Sequence, residues 1–153
     1  MALYLVQHGK SLSKDVAPDP GLTKDGKAAV VRIADVAASY GIRPTQIRHS
    51  GKQRAKETAE IMEKTLQVTT RLTPMKGIAP KDDVMPFAQT LDGIDGLMIV
   101  GHLPFLERLC ALLTTGDPDL TVFKFQNGGI VCLDQLPPPF GWVIKWALLP
   151  EIS

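Results

Sequence analysis

Residues 3–11 of the chain are Leu3-Tyr4-Leu5-Val6-Gln7-His8-Gly9-Lys10-Ser11. This run is apolar and β-prone, and it ends abruptly in a histidine followed by a glycine. A strand of this kind delivers the His8 imidazole to the carboxyl edge of a sheet, where ligands of open α/β sheets usually bind. Gly9 permits a tight bend and the close approach of a ligand to the backbone. The stretch therefore predicts an opening β-strand and a functional site at its end.

Two further segments offer polar groups at comparable positions. In residues 50–55, Arg54 falls in the first turn of a predicted helix. In residues 99–104, a second apolar run ends in His102 just before another predicted helix. A single histidine at a strand end is more often a turn or core residue, so the three segments carry weight only in combination. In combination they offer three groups that bind anions.

The composition is that of an ordinary globular chain. The 153 residues, of which 44% are hydrophobic and 22% charged, suit a single domain over residues 1–153 with one adequate core. The formal net charge of +1 gives no support for broad binding to nucleic acid or to an anionic membrane. With no secretory pattern and no membrane-spanning apolar run, the cytoplasm is the expected compartment. Cys110 and Cys132 lie in apolar patterns, which predicts buried thiols.

Apolar periodicity and helix breakers predict alternating strands and helices. Strands are predicted over residues 2–7, 46–49, 68–72, 97–100, 130–133 and 142–148, with three prolines joining the last two. The first helix is predicted from a Thr23 cap to Gly41, and the second over residues 50–66, with Ser50 and Gln53 as a capping box. A third helix is predicted after Asp82 or Asp83, and a fourth from Pro104 to Gly116. This alternation predicts a three-layer α/β/α sandwich around a mostly parallel central sheet with one antiparallel strand.

Five short segments together resemble the histidine phosphatase superfamily, whose fold is phosphoglycerate mutase-like, and within it the small SixA-type phosphohistidine phosphatases. The segments are LVQHG at residues 5–9, LTKDG at 22–26, SGKQRAKETA at 50–59, GHLPF at 101–105 and NGGI at 127–130. Each is short, but their order within a chain of this length is specific. The resemblance extends over nearly the whole chain.

The resemblance implies that His8 is the nucleophile, which attacks phosphorus to form a transient phosphohistidine that water hydrolyses. A neutral imidazole is a competent nucleophile near neutral pH. The planar guanidinium of Arg54 would grip two phosphate oxygens, aided by the free N–H groups of its helix. His102 would bind or protonate from the opposite side. The expected catalytic residues are His8, Arg54 and His102, and the expected substrate-binding residues are Gln7, Gly9, Ser11, Arg54 and His102.

One residue departs from the family pattern, because Gln7 stands where the usual motif has an arginine. A neutral amide in place of a permanent cation costs about 1–2 kcal/mol of anion stabilisation. Lys10, Arg48 or Lys52 could restore the charge if its side chain turns inward. The exchange predicts a slower site, or a non-catalytic phospho-binding protein if no cation takes the place of the arginine.

No residue stands out as a general acid. Asp82 and Asp83 lie in a loop that could approach the site, although a role as helix caps is favoured. Phosphohistidine needs less acid assistance than a phosphate ester, because its P–N bond is labile. The histidines lack metal-site spacing, and Gly51 and Lys52 lack the preceding glycine of a phosphate-binding P-loop, so neither metal nor nucleotide cofactor is expected.

The chain has no insertion long enough to cover a small metabolite, so an open, shallow site is expected. Such a site favours a phosphorylated side chain on another protein, with the loop at residues 10–21 as a candidate contact. The predicted function is removal of phosphate from a phosphohistidine on a phosphotransfer signalling protein through a covalent intermediate on His8. Two alternatives remain open: a phospho-binding pseudophosphatase and a small-molecule phosphomonoesterase.

Overall fold

A six-stranded sheet with helices on both faces organises the chain in a computed structural model that describes residues 1–152. The strands are β1 (Ala2–Gln7), β2 (Gln46–His49), β3 (Thr73–Pro74), β4 (Leu97–Gly101), β5 (Ile130–Gln135) and β6 (Trp142–Leu148). The helices are α1 (Lys24–Ser39), α2 (Gln53–Thr65), α3 (Val84–Ala88) and α4 (Phe105–Thr115).

The sheet has the strand order β3-β2-β4-β1-β5-β6. The strands from β3 to β1 pair in parallel, and β5 runs antiparallel to both of its neighbours. The predicted sandwich with one antiparallel strand is therefore confirmed. Because β1 and β4 are parallel neighbours, with Gln7 opposite Gly101, their carboxyl ends lie at the same edge of the sheet. This edge carries both predicted site histidines.

Alternate residues of the central strands pack against different helix layers. Tyr4 and Val6 of β1 pack with α1 and α2 on one face. Leu3 and Leu5 pack with α3 and α4 on the other, as the period of a strand requires. Burial of both faces explains why these strands are continuous apolar runs in the sequence. Both cysteines are buried and free, as predicted.

The predicted strand over residues 68–72 is wrong, because the segment that pairs with β2 is β3, at Thr73–Pro74. After α2 ends, Gln67 adopts a positive φ of 56°, and the following residues form the connection back to the sheet. Val68 and Leu72 pack against the core from this connection, which accounts for their apolar character. Proline is tolerated in β3 because this strand lies at the edge of the sheet.

Three predicted helix boundaries are confirmed. The Thr23 hydroxyl caps α1 by accepting from the Gly26 N–H over 2.9 Å. The Asp83 carboxylate caps α3 by accepting from the Met85 N–H over 3.0 Å. Gly116 ends α4 in the left-handed conformation, with φ of 82°. Along the residues that the structure describes, every helix is too short or too polar to cross a membrane.

Candidate active site

The backbone around His8 is held at the carboxyl edge of the sheet by three elements. The His8 N–H donates to the carbonyl of Gly101, at the end of β4, over 3.0 Å. The Gly9 N–H donates to Oγ1 of Thr58 in α2 over 3.0 Å. A Cβ at Gly9 would lie only 2.8 Å from Val30 of α1, so this position requires glycine. The position of the imidazole is therefore set by β4, α1 and α2 together.

The His8 imidazole is held in one tautomer. Its Nδ1 lies 2.7 Å from the carbonyl oxygen of Gly9, which can only accept, so Nδ1 carries the proton. Its Nε2 then bears a lone pair, which accepts from Nε of Arg54 over 3.3 Å. Burial lowers the pKa of His8; the hydrogen bond to Gly9 opposes this shift, and the charge of Arg54 adds to it. The result is a neutral imidazole with an available lone pair, which is the nucleophilic form.

Arg54 lies in the first turn of α2, as predicted, but the predicted capping box of Ser50 and Gln53 is wrong. The helix begins at Gln53, whose N–H donates to the two carboxylate oxygens of Asp19 over 3.1 and 3.2 Å. An aspartate 34 residues away therefore caps this helix, which a local sequence pattern does not reveal. The free N–H groups of this helix were expected to bind the phosphate. The Gln53 N–H is not available for this, because it already donates to the Asp19 carboxylate.

His102 is buried, with 2% of its surface exposed, and its ring centroid lies 5.0 Å from that of His8. Its Nε2 is 2.5 Å from Oγ of Ser50, and its Nδ1 is buried without a hydrogen-bond partner in the described part of the chain. Burial is the main cause that lowers the pKa of His102 to about 3. The nearby His8 imidazole, which disfavours protonation of both rings together, and the charges of Arg54 and Lys52 also lower it. His102 is therefore neutral near neutral pH, and Nε2 is the nitrogen that can reach a ligand.

Gln7 and Ser11 have fewer contacts with the three predicted catalytic residues. Oε1 of Gln7 is buried, and no partner for it occurs within residues 1–152. Ser11 forms an isolated bridge with Leu22 across the loop that follows β1. In the same residues, no hydrogen bond joins Ser11 to either imidazole or to the guanidinium. The roles of both residues in substrate binding stay predictions.

Two positioning contacts escaped the sequence analysis. Thr58, which accepts from Gly9, also donates to the backbone carbonyl of Arg54 over 2.8 Å, so one hydroxyl connects the segments of both residues. Asn127 donates from Nδ2 to the backbone carbonyl of His8 over 2.9 Å. Both residues lie in the segments that carry the family resemblance, but only the tertiary structure shows what they hold.

An open groove of about 450 Å³ adjoins the site at Ser50. Its lining is formed by Ser50, Pro74, Met75, Lys76, Gly77, Ala79 and Asp82. The Asp82 carboxylate accepts from the Ala79 N–H over 2.8 Å, and Asp83 caps α3, so both carboxylates hold backbone groups. No cluster of three metal-ligating side chains occurs in residues 1–152.

The structure thus brings the three predicted catalytic residues together. His8 presents a lone pair, Arg54 supplies a permanent positive charge beside it, and the neutral His102 ring has its centroid 5.0 Å from that of His8. Phosphoryl transfer requires mainly positioning and positive charge around the phosphate oxygens. The arrangement can supply a nucleophile and part of that charge.

Comparison with protein-family models gave a match over part of the chain. The model of the histidine phosphatase superfamily (branch 1) matches residues 3–75. A search of curated proteins gave no significant match.

Solved structures share the fold over nearly the full chain. The protein histidine phosphatase SixA, complexed with tungstate, has a TM-score of 0.85 at 22% identity, covering 98% of this chain and 97% of that chain. A protein from Agrobacterium tumefaciens, described as a candidate phosphohistidine phosphatase SixA, has a TM-score of 0.77 at 23% identity, covering 97% of both chains. A mycobacterial glucosyl-3-phosphoglycerate phosphatase complexed with VO3 has a TM-score of 0.72 at 14% identity, covering 95% of this chain and 97% of that chain.

Proposed function

The resemblance to the histidine phosphatase superfamily is confirmed, in sequence over residues 3–75 and in fold over nearly the whole chain, and from this premise we propose that the protein is a phosphohistidine phosphatase. Its substrate is a phosphohistidine on a phosphotransfer protein. One observation carries the proposal: Nε2 of His8 bears a lone pair, 3.3 Å from Nε of Arg54, while Gly9 holds the proton on Nδ1.

The reaction consists of two phosphoryl transfers. In the first, Nε2 of His8 attacks phosphorus, the P–N bond of the substrate breaks, and its electron pair leaves with the substrate imidazole, which takes up a proton. In the second, water attacks the phosphohistidine on His8 and releases inorganic phosphate, and the electron pair returns to Nε2. Splitting one displacement into two transfers is the general advantage of a covalent intermediate.

Arg54 and His102 have different roles in these steps. Arg54 keeps its charge at every relevant pH and stabilises the phosphate oxygens in both transfers. His102 is neutral, so it interacts with the phosphoryl group as a hydrogen-bonding group rather than as a cation. Because Nδ1 of His102 is buried, Nε2 makes this contact, and the Ser50 hydroxyl now beside it gives way to the phosphate or bridges to it.

The surroundings of the site favour a protein substrate. The groove that begins at Ser50 is open, and Pro74 and Met75 contribute apolar surface to it. A phosphorylated side chain that projects from a partner protein could reach His8 while its flanking surface rests on this groove. A P–N substrate also suits a site in which Asp82 accepts from the Ala79 N–H and Asp83 caps α3, so that both carboxylates are engaged by backbone groups.

Two alternatives each have one observation in their favour. The missing arginine at position 7, with Oε1 of Gln7 buried and unpaired in the described chain, favours a protein that binds phosphate groups without turnover. The likeness in fold to a glucosyl-3-phosphoglycerate phosphatase favours a small-molecule phosphomonoesterase. The presence of the nucleophile argues against the first alternative, and the open groove argues against the second.

The decisive experiment measures phosphate release from a histidine-phosphorylated phosphotransfer protein. We expect turnover by the wild type, and a loss of at least about 10³-fold in His8→Ala because the nucleophile is gone. Intact mass spectrometry of the wild type should show a transient, acid-labile phosphoryl adduct that His8→Ala lacks. Arg54→Ala should also lose activity, whereas Arg71→Ala, which removes an exposed arginine, should not.

The other outcomes separate the alternatives. Absence of turnover, with phosphoprotein binding that survives His8→Ala but not Arg54→Ala, would establish the phospho-binding protein. Faster hydrolysis of phosphoserine or of sugar phosphates than of phosphohistidine would establish the phosphomonoesterase.

A further inference from the structure

The phosphate site described so far has too little positive charge for its proposed chemistry. Arg54 is the permanent cation beside His8, and Gln7 occupies the position at which the family motif has a second arginine. Both histidines are held neutral, so neither compensates for the loss. A phosphoryl group in transfer spreads negative charge over three oxygens, and one guanidinium covers only part of it.

Neither Lys10 nor Arg48 forms a hydrogen bond or an ion pair with His8, Arg54 or His102 within residues 1–152. Nζ of Lys10 is exposed and lies 3.9 Å from the Glu151 carboxylate, beside a separate groove. Arg48 lies in β2, paired with Thr73 and Ile99, and its buried Nε has no hydrogen-bond partner in the described part of the chain.

Lys52 lies at the site itself. It is the N-cap residue of α2, two positions before Arg54, and its backbone N–H is 3.4 Å from Oγ of Ser50, which contacts His102. Its side chain is half-buried and takes part in no ion pair with a residue in the described range 1–152. The charge of Lys52 contributes to lowering the pKa of His102, after burial, His8 and Arg54, so the ammonium group acts on the imidazole that faces the phosphate.

The turn that carries Lys52 is well fixed. Gly51 has a φ of 92°, which favours glycine, and its N–H donates to Nδ1 of the buried His49 over 3.1 Å. Ser50 is held in turn by His102. The backbone at Lys52 is therefore fixed next to Ser50, the residue whose hydroxyl contacts His102.

We propose that Lys52 supplies the second positive charge of the phosphate site, in place of the arginine that Gln7 replaces, and binds the transferred phosphoryl group together with Arg54. This inference rests on the proposed function for the identity of the ligand. It makes Lys52 a phosphate-binding residue specific to a chain with glutamine at position 7, and it explains how the site could remain active without the usual motif.

The first test measures binding of inorganic phosphate and of tungstate to the purified full chain by calorimetry, which requires no turnover. Lys52→Met keeps the aliphatic length of the side chain and removes its charge, and it should weaken binding by about 10-fold. Lys52→Arg should retain binding. Lys56→Met is the matched control, since it removes an exposed lysine from the same helix, and it should bind as the wild type does.

The second test is a double-mutant cycle with Gln7→Arg, which restores the arginine. If Lys52 replaces this arginine, Lys52→Met should weaken the binding of phosphate and tungstate by about 10-fold in the protein with Gln7. In the Gln7→Arg protein it should weaken this binding by less than about 3-fold. Equal losses in both backgrounds would contradict the replacement. Equal effects of Lys52→Met and Lys56→Met, or a loss in Arg48→Gln with none in Lys52→Met, would overturn the assignment of Lys52.

Turnover of a histidine-phosphorylated protein separates this inference from the proposed function. Loss of kcat/KM in Lys52→Met, with an unchanged melting temperature, supports both. Failure of the wild type to turn over any phosphohistidine would contradict the proposed function, while a selective loss of phosphate binding in Lys52→Met would still support the role of Lys52.

Discussion

His8 and His102 are adjacent imidazoles that the fold keeps neutral for related reasons. Burial lowers the pKa of each, and the charge of Arg54 adds to the shift in both. Their hydrogen bonds then give them different roles. Gly9 holds the proton of His8 on Nδ1, so that the Nε2 lone pair accepts from Arg54, whereas Nε2 of His102 is paired with Ser50. These different partners support the different roles proposed for the two imidazoles, as nucleophile and as neutral binding group.

The lowered pKa of His102 makes stability depend on pH. In the unfolded chain His102 has its ordinary pKa of 6.5, against about 3 in the native state, so the unfolded state binds the extra proton between these values. The free energy of unfolding is therefore highest, as far as His102 is concerned, above the pKa of the unfolded chain. It falls by about 1.4 kcal/mol per pH unit as the pH drops from this pKa toward that of the native state.

Urea unfolding at a series of pH values checks this prediction. The free energy of unfolding of the wild type should fall more steeply below the unfolded pKa than that of His102→Gln, because the variant lacks the titrating group. Parallel curves for the two proteins would show that burial does not hold His102 neutral.

At the scale of elements, the N-terminus of α2 is capped by a residue from a distant loop, Asp19. Ser50, the residue that looks like the cap, pairs with His102, and Asp19 accepts from the Gln53 N–H instead. The loop between β1 and α1 is thereby tied to the start of the helix that carries Arg54. This contact joins two parts of the candidate site.

Whether Asp19 or Ser50 caps α2 can be tested by the effect of removing each side chain on the free energy of unfolding. We expect Asp19→Ala to lower the free energy of unfolding by about 0.5–1 kcal/mol, because it removes the cap. Ser50→Ala should change stability less and should lower turnover of phosphohistidine, because it removes the hydroxyl that holds the His102 imidazole in place. Asp15→Ala, in the same loop, is the control for loss of a carboxylate. A larger stability loss in Ser50→Ala than in Asp19→Ala would restore the capping box.

At the scale of the whole molecule, the backbone at His8, directly after β1, is held by a residue 119 positions away in the chain. Asn127 donates to the carbonyl of His8, and the adjacent Gly128 N–H donates to the carbonyl of Gln7 over 2.8 Å. These residues lead into β5, the antiparallel strand beside β1. Sheet topology therefore contributes directly to the position of His8, the proposed nucleophile.

Removing this connection should affect catalysis more than stability. We expect Asn127→Ala to lower kcat by roughly 10-fold through misplacement of His8, and the free energy of unfolding by only about 1 kcal/mol. Gln126→Ala is the neighbouring control, because its amide binds the backbone of Glu151 and not the end of β1. Equal effects of the two variants on kcat would show that the contact of Asn127 does not position His8.

The sequence by itself determined the features that depend on local spacing. Apolar runs and breakers correctly predicted the two-faced sheet, the Thr23 cap, the Gly116 stop and the strand that ends at His8. The same runs indicated which histidines lie at strand ends, because the strand period and the final glycine are encoded in adjacent residues. That residues 1–153 form a single domain stays a prediction.

Only the tertiary structure decided the features that depend on distant residues. Local pattern could not reveal that Asp19 displaces Ser50 as the cap, or that the strand after α2 begins only at Thr73, beyond a left-handed turn at Gln67. The tautomer of His8 depends on the exact bend at Gly9. The connection from the Lys52 backbone through Ser50 to His102 depends on the start of α2 meeting the end of β4. Burial and hydrogen bonding act through space, so sequence spacing alone does not determine them.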